Sequence, residues 1–189
     1  MEHNEIHAFA VWLTGRPASG KSTVAAALQT ELQSLGLRPA VLESDALRRE
    51  FAPHLGYGEH DREVFYRQLA YMGALLTKHG VPVIFDATAN RRSYRESART
   101  QIEHFVEVYV DSPLDVCMAR DPKGIYRSAA QGQAQTVPGL QEPYEPPSCP
   151  ELVIRGDRET PEAAAKRILQ LLDDRGYLTV SGAARRASE

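Results

Sequence analysis

The chain has 189 residues, of which 42% are hydrophobic and 25% are charged, and its formal net charge is −3. These values are ordinary for one globular domain that is long enough to bury a core. The small negative charge gives no overall attraction to nucleic acid or to an anionic membrane, so we expect neither as a partner and expect any anion to bind at a local site.

Short apolar runs alternate with helical periodicity along the chain. The runs that favour strands are 8–13, 40–43, 81–86, 106–110 and 152–155. Helical patterns fall between them, at 21–35, 61–79, 91–103, 113–120 and 161–174. Strands separated by helices predict crossover connections, and therefore an α/β fold with a five-stranded parallel sheet and helices on both faces.

The most specific motif follows the first strand. Its spacing is glycine, four residues, glycine, lysine and serine, and it reads Gly15-Arg16-Pro17-Ala18-Ser19-Gly20-Lys21-Ser22. Between a strand and a helix, such a loop cradles phosphates with backbone N–H groups and the positive end of the helix dipole. The alternative, a structural glycine turn, does not account for the flanking pattern. We therefore predict a P-loop NTPase fold.

The motif assigns separate roles to the residues of the loop. Lys21 is expected to reach the terminal phosphates of a nucleoside triphosphate, and the Ser22 hydroxyl is expected to bind Mg²⁺. The predicted nucleotide-binding residues of the loop are Gly15, Ala18, Ser19, Gly20, Lys21, Ser22 and Thr23.

Two aspartates follow strands at the edge where parallel sheets bind ligands. Asp45 comes after the second strand and Asp86 ends the third. Either carboxylate has a place in phosphoryl transfer, as the base that accepts a proton from the attacking hydroxyl or as a Mg²⁺ contact. Capping of the segment that follows is the structural alternative for both residues. Spacing alone leaves open which of the two is the base.

Arginines also cluster after the strands, and guanidinium groups bind phosphate and sulfate oxygens in bidentate fashion. We select Arg48, Arg62 and Arg92 as the arginines that bind an anionic substrate. The remaining arginines are interpreted mainly as solvated surface residues.

The segment 121–150 is rich in proline, glycine and glutamine and is too long for a plain connector. We interpret it as a lid over the nucleotide. It belongs to a single kinase domain at 1–180, and the small, polar residues 181–189 are expected to form a disordered tail.

Three features that the sequence lacks predict a cytoplasmic location for the protein. No apolar run approaches the roughly 20 residues that span a bilayer. The first residues lack the basic start and apolar stretch of a signal peptide. The two cysteines, Cys117 and Cys149, have no metal-ligand spacing and favour a reducing compartment.

Taken together, these stretches resemble adenylylsulfate kinases, which phosphorylate the ribose 3′-hydroxyl of adenosine 5′-phosphosulfate with MgATP in sulfate assimilation. The resemblance runs from the phosphate loop to the last helix. It is most specific in the Asp-Pro-Lys-Gly element at 121–124 and the Pro-Tyr-Glu element at 143–145. It implies a phosphotransferase with an alcohol group as acceptor, ATP and Mg²⁺ as cofactors, a nucleotide substrate and a homodimer.

The resemblance also implies roles for individual residues. Asp45 matches the catalytic or Mg²⁺-linked carboxylate, Arg120 would lie against the ATP adenine, and Lys123 would approach the phosphates or the substrate from the lid. The resemblance implies substrate binding for Arg48, Tyr57, Arg62 and Lys123, with the Tyr57 ring stacking on the substrate adenine; Arg92 is a predicted substrate-binding residue from its position alone.

The departures from the family pattern lie on the acceptor side. Ala46 and Phe65 stand where the family has asparagines, Val137 stands in place of a stacking phenylalanine, and Ala89 in place of a serine. A lost base stack costs about 1–3 kcal/mol. Two alternatives therefore stay open: a kinase of this family that acts on another nucleotide or small hydroxyl compound, and a nucleotide-binding regulatory module without phosphoryl transfer.

Overall fold

The computed structural model describes residues 8–178. Its elements in chain order are β1 Ala10–Thr14, α1 Lys21–Ser34, β2 Ala40–Glu43, α2 Ser44–Phe51, α3 Glu59–Lys78, β3 Val83–Asp86, α4 Arg92–Arg99, β4 Phe105–Asp111, α5 Leu114–Arg120, α6 Ile125–Ala130, β5 Leu152–Arg155 and α7 Pro161–Asp174. The tail predicted at 181–189 lies outside the described residues.

The five strands form one parallel sheet in the order β2-β3-β1-β4-β5. This confirms the predicted α/β fold. Leu13 of β1 and Glu43 of β2 are both in register with Asp86 of β3, so the carboxyl ends of the three strands meet at one edge. Ligands of such sheets bind at that edge.

Helices cover both faces of the sheet because alternate residues of each strand point to opposite faces and most of them are apolar. In β1, Trp12 packs with α3 and α4, and its ring stacks on Phe85 with 4.4 Å between ring centroids. Val11 and Leu13 point the other way, into the cluster formed with α1 and α7. The motifs at the strand ends are therefore held by a core on each side.

Two helices were not predicted from the sequence. The first, α2, begins directly after β2 at Ser44, and the second, α6, lies inside the 121–150 segment. The Asp121 carboxylate accepts hydrogen bonds from the backbone N–H groups of Tyr126 and Arg127, at 3.2 and 2.9 Å, and so satisfies the start of α6. The predicted helix 91–103 is shorter in the structure and ends at Arg99.

The 121–150 segment is packed rather than extended into solvent. Tyr126, Ala129 and Val137 are buried with Cys117 of α5 in a small cluster. Within residues 8–178, no helix has both the length and the apolar character needed to cross a bilayer.

Candidate active site

A cleft of about 1260 Å³ lies at the carboxyl edge of the sheet. Its walls are the phosphate loop, the start of α2, the α2–α3 connection and the 121–150 segment. Most of the predicted site residues line it, among them Lys21, Ser22, Asp45 and Asp86. Residues from four distant parts of the sequence therefore share one cavity.

The loop 15–22 leaves its backbone donors available at the start of α1. Gly20, which precedes α1, has a left-handed φ of 107°, and no side chain caps this end of the helix. Ala18 is also left-handed, with a φ of 59°. Uncapped N–H groups at a helix N-terminus form a binding site for an anion such as phosphate.

Gly15 is required where β1 enters the loop. A Cβ atom at this position would lie 2.4 Å from the Val110 carbonyl oxygen and 2.7 Å from Ser19 Oγ. We expect Gly15→Ala to displace the loop at a cost of about 1–3 kcal/mol, and so to weaken ATP binding roughly 5- to 150-fold in titration calorimetry. Gly58→Ala is the matched control, because the added methyl group meets nothing within 4 Å. Equal ATP affinity of the two variants would contradict this.

The Lys21 side chain is buried and folds back onto the loop. Its Nζ donates to the carbonyl oxygens of Gly15 at 3.1 Å and Arg16 at 2.9 Å. An ammonium group has three N–H donors, so one is left to reach into the cleft. Burial lowers the pKa of Lys21 below its usual value, whereas the charges of Asp86 and Asp45 act in the opposite direction.

Asp45 lies in the first turn of α2 and faces the 121–150 segment. Its Oδ2 accepts a hydrogen bond from Lys123 Nζ at 2.6 Å, and the same ammonium donates to Glu43 Oε1 at 3.2 Å. The residue before the helix is Glu43, and no side chain caps α2. Asp45 is therefore paired with a lysine rather than used as a cap. Glu43 is a site residue that the sequence analysis missed.

Asp86, unlike Asp45, is buried: only 5% of the residue is exposed. Within residues 8–178 its carboxylate accepts no hydrogen bond, and the nearby charge with which it interacts is that of Lys21. It does not cap α4, whose N-terminal flanking residue is Arg91. A buried carboxylate with this little compensation is suited to a cation.

The described residues contain no group of three His, Cys, Asp or Glu side chains that could hold a metal. This is compatible with Mg²⁺, which binds through one or two carboxylates, several waters and the phosphates of the substrate. Ser22, in the first turn of α1, and Asp86 line the same cleft and are the residues that fit this role best.

Two arginines are buried in the wall opposite the phosphate loop. We call Arg48, Tyr57, Arg62 and Phe65 the α2–α3 wall. Arg48 is 7% exposed and Arg62 is 6% exposed. Arg62 donates to the carbonyl oxygens of Tyr57 and Thr136, both at 2.7 Å, and to Asn90 Oδ1 at 3.4 Å. It therefore joins the α2–α3 connection, the loop after β3 and the 121–150 segment.

Of the other predicted residues, Arg120, Lys123 and Tyr57 line the cleft, but Arg92 does not. The Arg92 backbone N–H donates to Glu145 Oε2 at 2.8 Å, and its Nη1 donates to Ser148 Oγ at 2.9 Å. Arg92 therefore fastens the far end of the 121–150 segment. The reason is its position at the first residue of α4, which directs the side chain away from the cleft.

Tyr144 is a further residue whose place the sequence analysis missed. Thr14 Oγ1 donates to the Thr88 carbonyl oxygen at 2.7 Å and lies 3.0 Å from the Tyr144 hydroxyl. Burial raises the pKa of Tyr144. Because the single O–H of Thr14 is used on the Thr88 carbonyl oxygen, the Tyr144 hydroxyl is the donor to Thr14. This contact ties the end of the 121–150 segment to the strand before the phosphate loop. The Pro-Tyr-Glu element was the available signal.

Comparison with known proteins points to one family. The model of the family described as adenylylsulphate kinase matches residues 7–155. An adenylyl-sulfate kinase of Rippkaea orientalis is 39% identical over 168 residues, which are 89% of this chain and 93% of the relative. One of Microcystis aeruginosa is 40% identical over the same length, again 89% of this chain and 93% of the relative.

A solved structure gives the same result. The APS kinase of Mycobacterium tuberculosis, in complex with AMPPNP and APS, superposes with a TM-score of 0.84 at 33% identity. The match covers 88% of this chain and 98% of that one.

Proposed function

The chain belongs to the adenylylsulphate kinase family, and from this premise we propose that it transfers the γ-phosphoryl group of ATP to the 3′-hydroxyl of adenosine 5′-phosphosulfate. The observation that carries the proposal is one shared cleft. The phosphate loop, two buried arginines of the α2–α3 wall, Asp45 and Asp86 all line it.

The proposed transfer is an in-line displacement at phosphorus. The acceptor oxygen forms a bond to the γ-phosphorus, the bond to the β,γ-bridging oxygen breaks, and ADP leaves with the electron pair. Asp45 takes the proton of the attacking hydroxyl. Catalysis of this kind is mainly positioning and charge stabilisation.

The cationic side chains have complementary tasks. Lys21 binds the β- and γ-phosphates, and Lys123 exchanges its contact with Asp45 for the phosphates when ATP enters. Arg120 lies beside the adenine of ATP. Ser22 and Asp86 would hold Mg²⁺ together with the phosphates, and the ion would supply positive charge against the negative charge that develops on the transferred group.

The 121–150 segment is proposed to act as the lid that excludes water from the reaction. Closure suppresses hydrolysis of ATP because the acceptor hydroxyl then has no competitor. In this proposal one kinase domain comprises residues 1–180. The homodimer and the cytoplasmic location stay predictions.

A direct assay tests the proposal. With MgATP and adenosine 5′-phosphosulfate, purified protein is expected to form ADP and the 3′-phosphorylated product in equal amounts, measured by anion-exchange chromatography. Samples without acceptor or with EDTA serve as controls and should show background only. No turnover at millimolar substrate, or a clear preference for another alcohol in a parallel acceptor screen, would contradict the proposal.

A further inference from the structure

The guanidinium of Arg48 lies between two aromatic rings of the α2–α3 wall. Its central carbon is 4.0 Å from the centroid of Phe65 and 4.9 Å from that of Tyr57. A guanidinium is attracted to the face of an aromatic ring, and more strongly where water is excluded. Arg48 is therefore in contact with two rings, and the edge of its guanidinium carries the N–H donors.

Most of that edge has no protein partner. Arg48 Nη1 donates to the Gly56 carbonyl oxygen at 2.8 Å, which uses one of five donors. Arg62, in contrast, uses donors of all three of its nitrogens on protein oxygens. Within residues 8–178, neither arginine has a carboxylate at ion-pair distance. Buried charges are normally paired, and the remaining donors of Arg48 have no partner in the chain. They are therefore suited to bind an anion from outside it.

The two rings differ in how firmly they are held. Phe65 is 3% exposed and belongs to the core cluster, where its ring meets Tyr66 edge-on at 5.4 Å between centroids. Tyr57 is 53% exposed. Phe65 therefore provides the fixed wall against which the guanidinium plane is set, and Tyr57 remains able to adjust to a ligand.

We propose that Phe65 is a positioning residue for acceptor binding: it fixes the Arg48 guanidinium so that its free edge binds the anionic group of the acceptor. This inference rests on the proposed function and deepens it. Phe65 stands where the family pattern has an asparagine. A ring that orients the Arg48 guanidinium therefore takes the place of an amide. In this chain, recognition depends on the charge of the acceptor more than on contacts to its base.

Phe65→Leu tests the proposal, because leucine keeps an apolar side chain and removes the ring face. We expect KM for adenosine 5′-phosphosulfate to rise about tenfold, with kcat and KM for ATP nearly unchanged. Phe65→Tyr keeps the aromatic ring face, so this variant should have the wild-type KM. Phe51→Leu is the matched control, since the Phe51 ring is 69% exposed on α2.

A binding measurement separates positioning from a merely structural effect. With AMPPNP occupying the phosphate loop, adenosine 5′-phosphate and neutral adenosine are titrated by calorimetry into wild type and Phe65→Leu. The variant should lose affinity about tenfold for adenosine 5′-phosphate and little for adenosine. If Phe65→Leu does not fold, Arg48→Lys, which leaves the core ring in place, should show the same selective loss.

The outcomes distinguish the inference from the proposed function. Equal losses for the charged and the neutral ligand, or no rescue by Phe65→Tyr, would overturn the positioning role. Failure of wild type to bind adenosine 5′-phosphate would overturn it as well. A wild-type protein that binds adenosine 5′-phosphate with the expected Phe65 dependence but does not phosphorylate adenosine 5′-phosphosulfate would instead refute the proposed function alone.

Discussion

Replacing Asp45 with asparagine is expected to lower kcat by about 10²- to 10⁴-fold, the usual contribution of a general base. Asparagine keeps the size and one hydrogen-bond acceptor of aspartate, so the contact from Lys123 Nζ can persist. It cannot accept the hydroxyl proton. ATP affinity should stay within a few fold of wild type, because the phosphate loop is untouched. Steady-state kinetics and calorimetric titration of ATP measure the two quantities.

Asp86→Asn is the matched control, because it makes the same change in the second carboxylate of the cleft. We expect this variant to require more Mg²⁺ for half-maximal activity, whereas Asp45→Asn keeps the Mg²⁺ dependence of wild type. The reverse pattern would exchange the two roles. An Asp45→Asn enzyme that retains a tenth or more of the wild-type rate would show that Asp45 is not the base.

Replacing Arg95 with methionine is expected to destabilise the fold by about 3–5 kcal/mol, because it removes one of the two arginine partners of the buried Glu107 carboxylate, keeping only Arg99 Nη2 at 3.3 Å, and leaves two backbone carbonyl oxygens without their donor. Arg95 is 1% exposed, and its Nε donates to Glu107 Oε1 at 2.5 Å. The other nitrogens donate to the carbonyl oxygens of Ala89 and Glu145. At this chain length the loss corresponds to a fall in Tm of roughly 6–20 °C.

Thermal unfolding followed by circular dichroism measures the effect. Arg49→Gln is the control for an exposed ion pair, since the side chains of Arg49 and Glu50 are 72% and 68% exposed. Such pairs contribute little, so its Tm should stay near that of wild type. The Arg95→Met, Glu107→Leu double variant should recover part of the loss, because it also removes the buried carboxylate, while Arg99 keeps Glu151 as its partner. An Arg95→Met protein as stable as Arg49→Gln would contradict the argument.

Arg95 also bears on the cleft. Its donors hold Ala89, which has a left-handed φ of 40°, and Glu145, near the end of the 121–150 segment. Next to Ala89, the Asn90 side-chain amide donates to the Pro143 carbonyl oxygen at 3.1 Å. One buried guanidinium thus fixes the loop after β3 to the base of the segment that covers the cleft.

Much of the nucleotide side of the cleft was predictable because its signals are local. The loop spacing identified Lys21 and Ser22, and the position of Asp45 and Asp86 at strand ends was sufficient to bring them to one edge. The helices α2 and α6 were missed because each is short, with eight and six residues. Short helices of this kind are stabilised by tertiary contacts, such as the burial of Tyr126.

The sequence by itself determined the fold class and the family, and it assigned the predicted phosphate-binding residues to one loop, because strand-helix alternation and motif spacing act over short distances along the chain. Only the tertiary structure decided which arginines face the cleft. Arg48 and Arg62 are directed inward by α2 and α3, whereas Arg92, at the start of α4, is directed outward. The contact of Arg48 with the Phe65 ring and the contact of Thr14 with Tyr144 likewise depend on packing between separate segments. Local periodicity does not encode such packing.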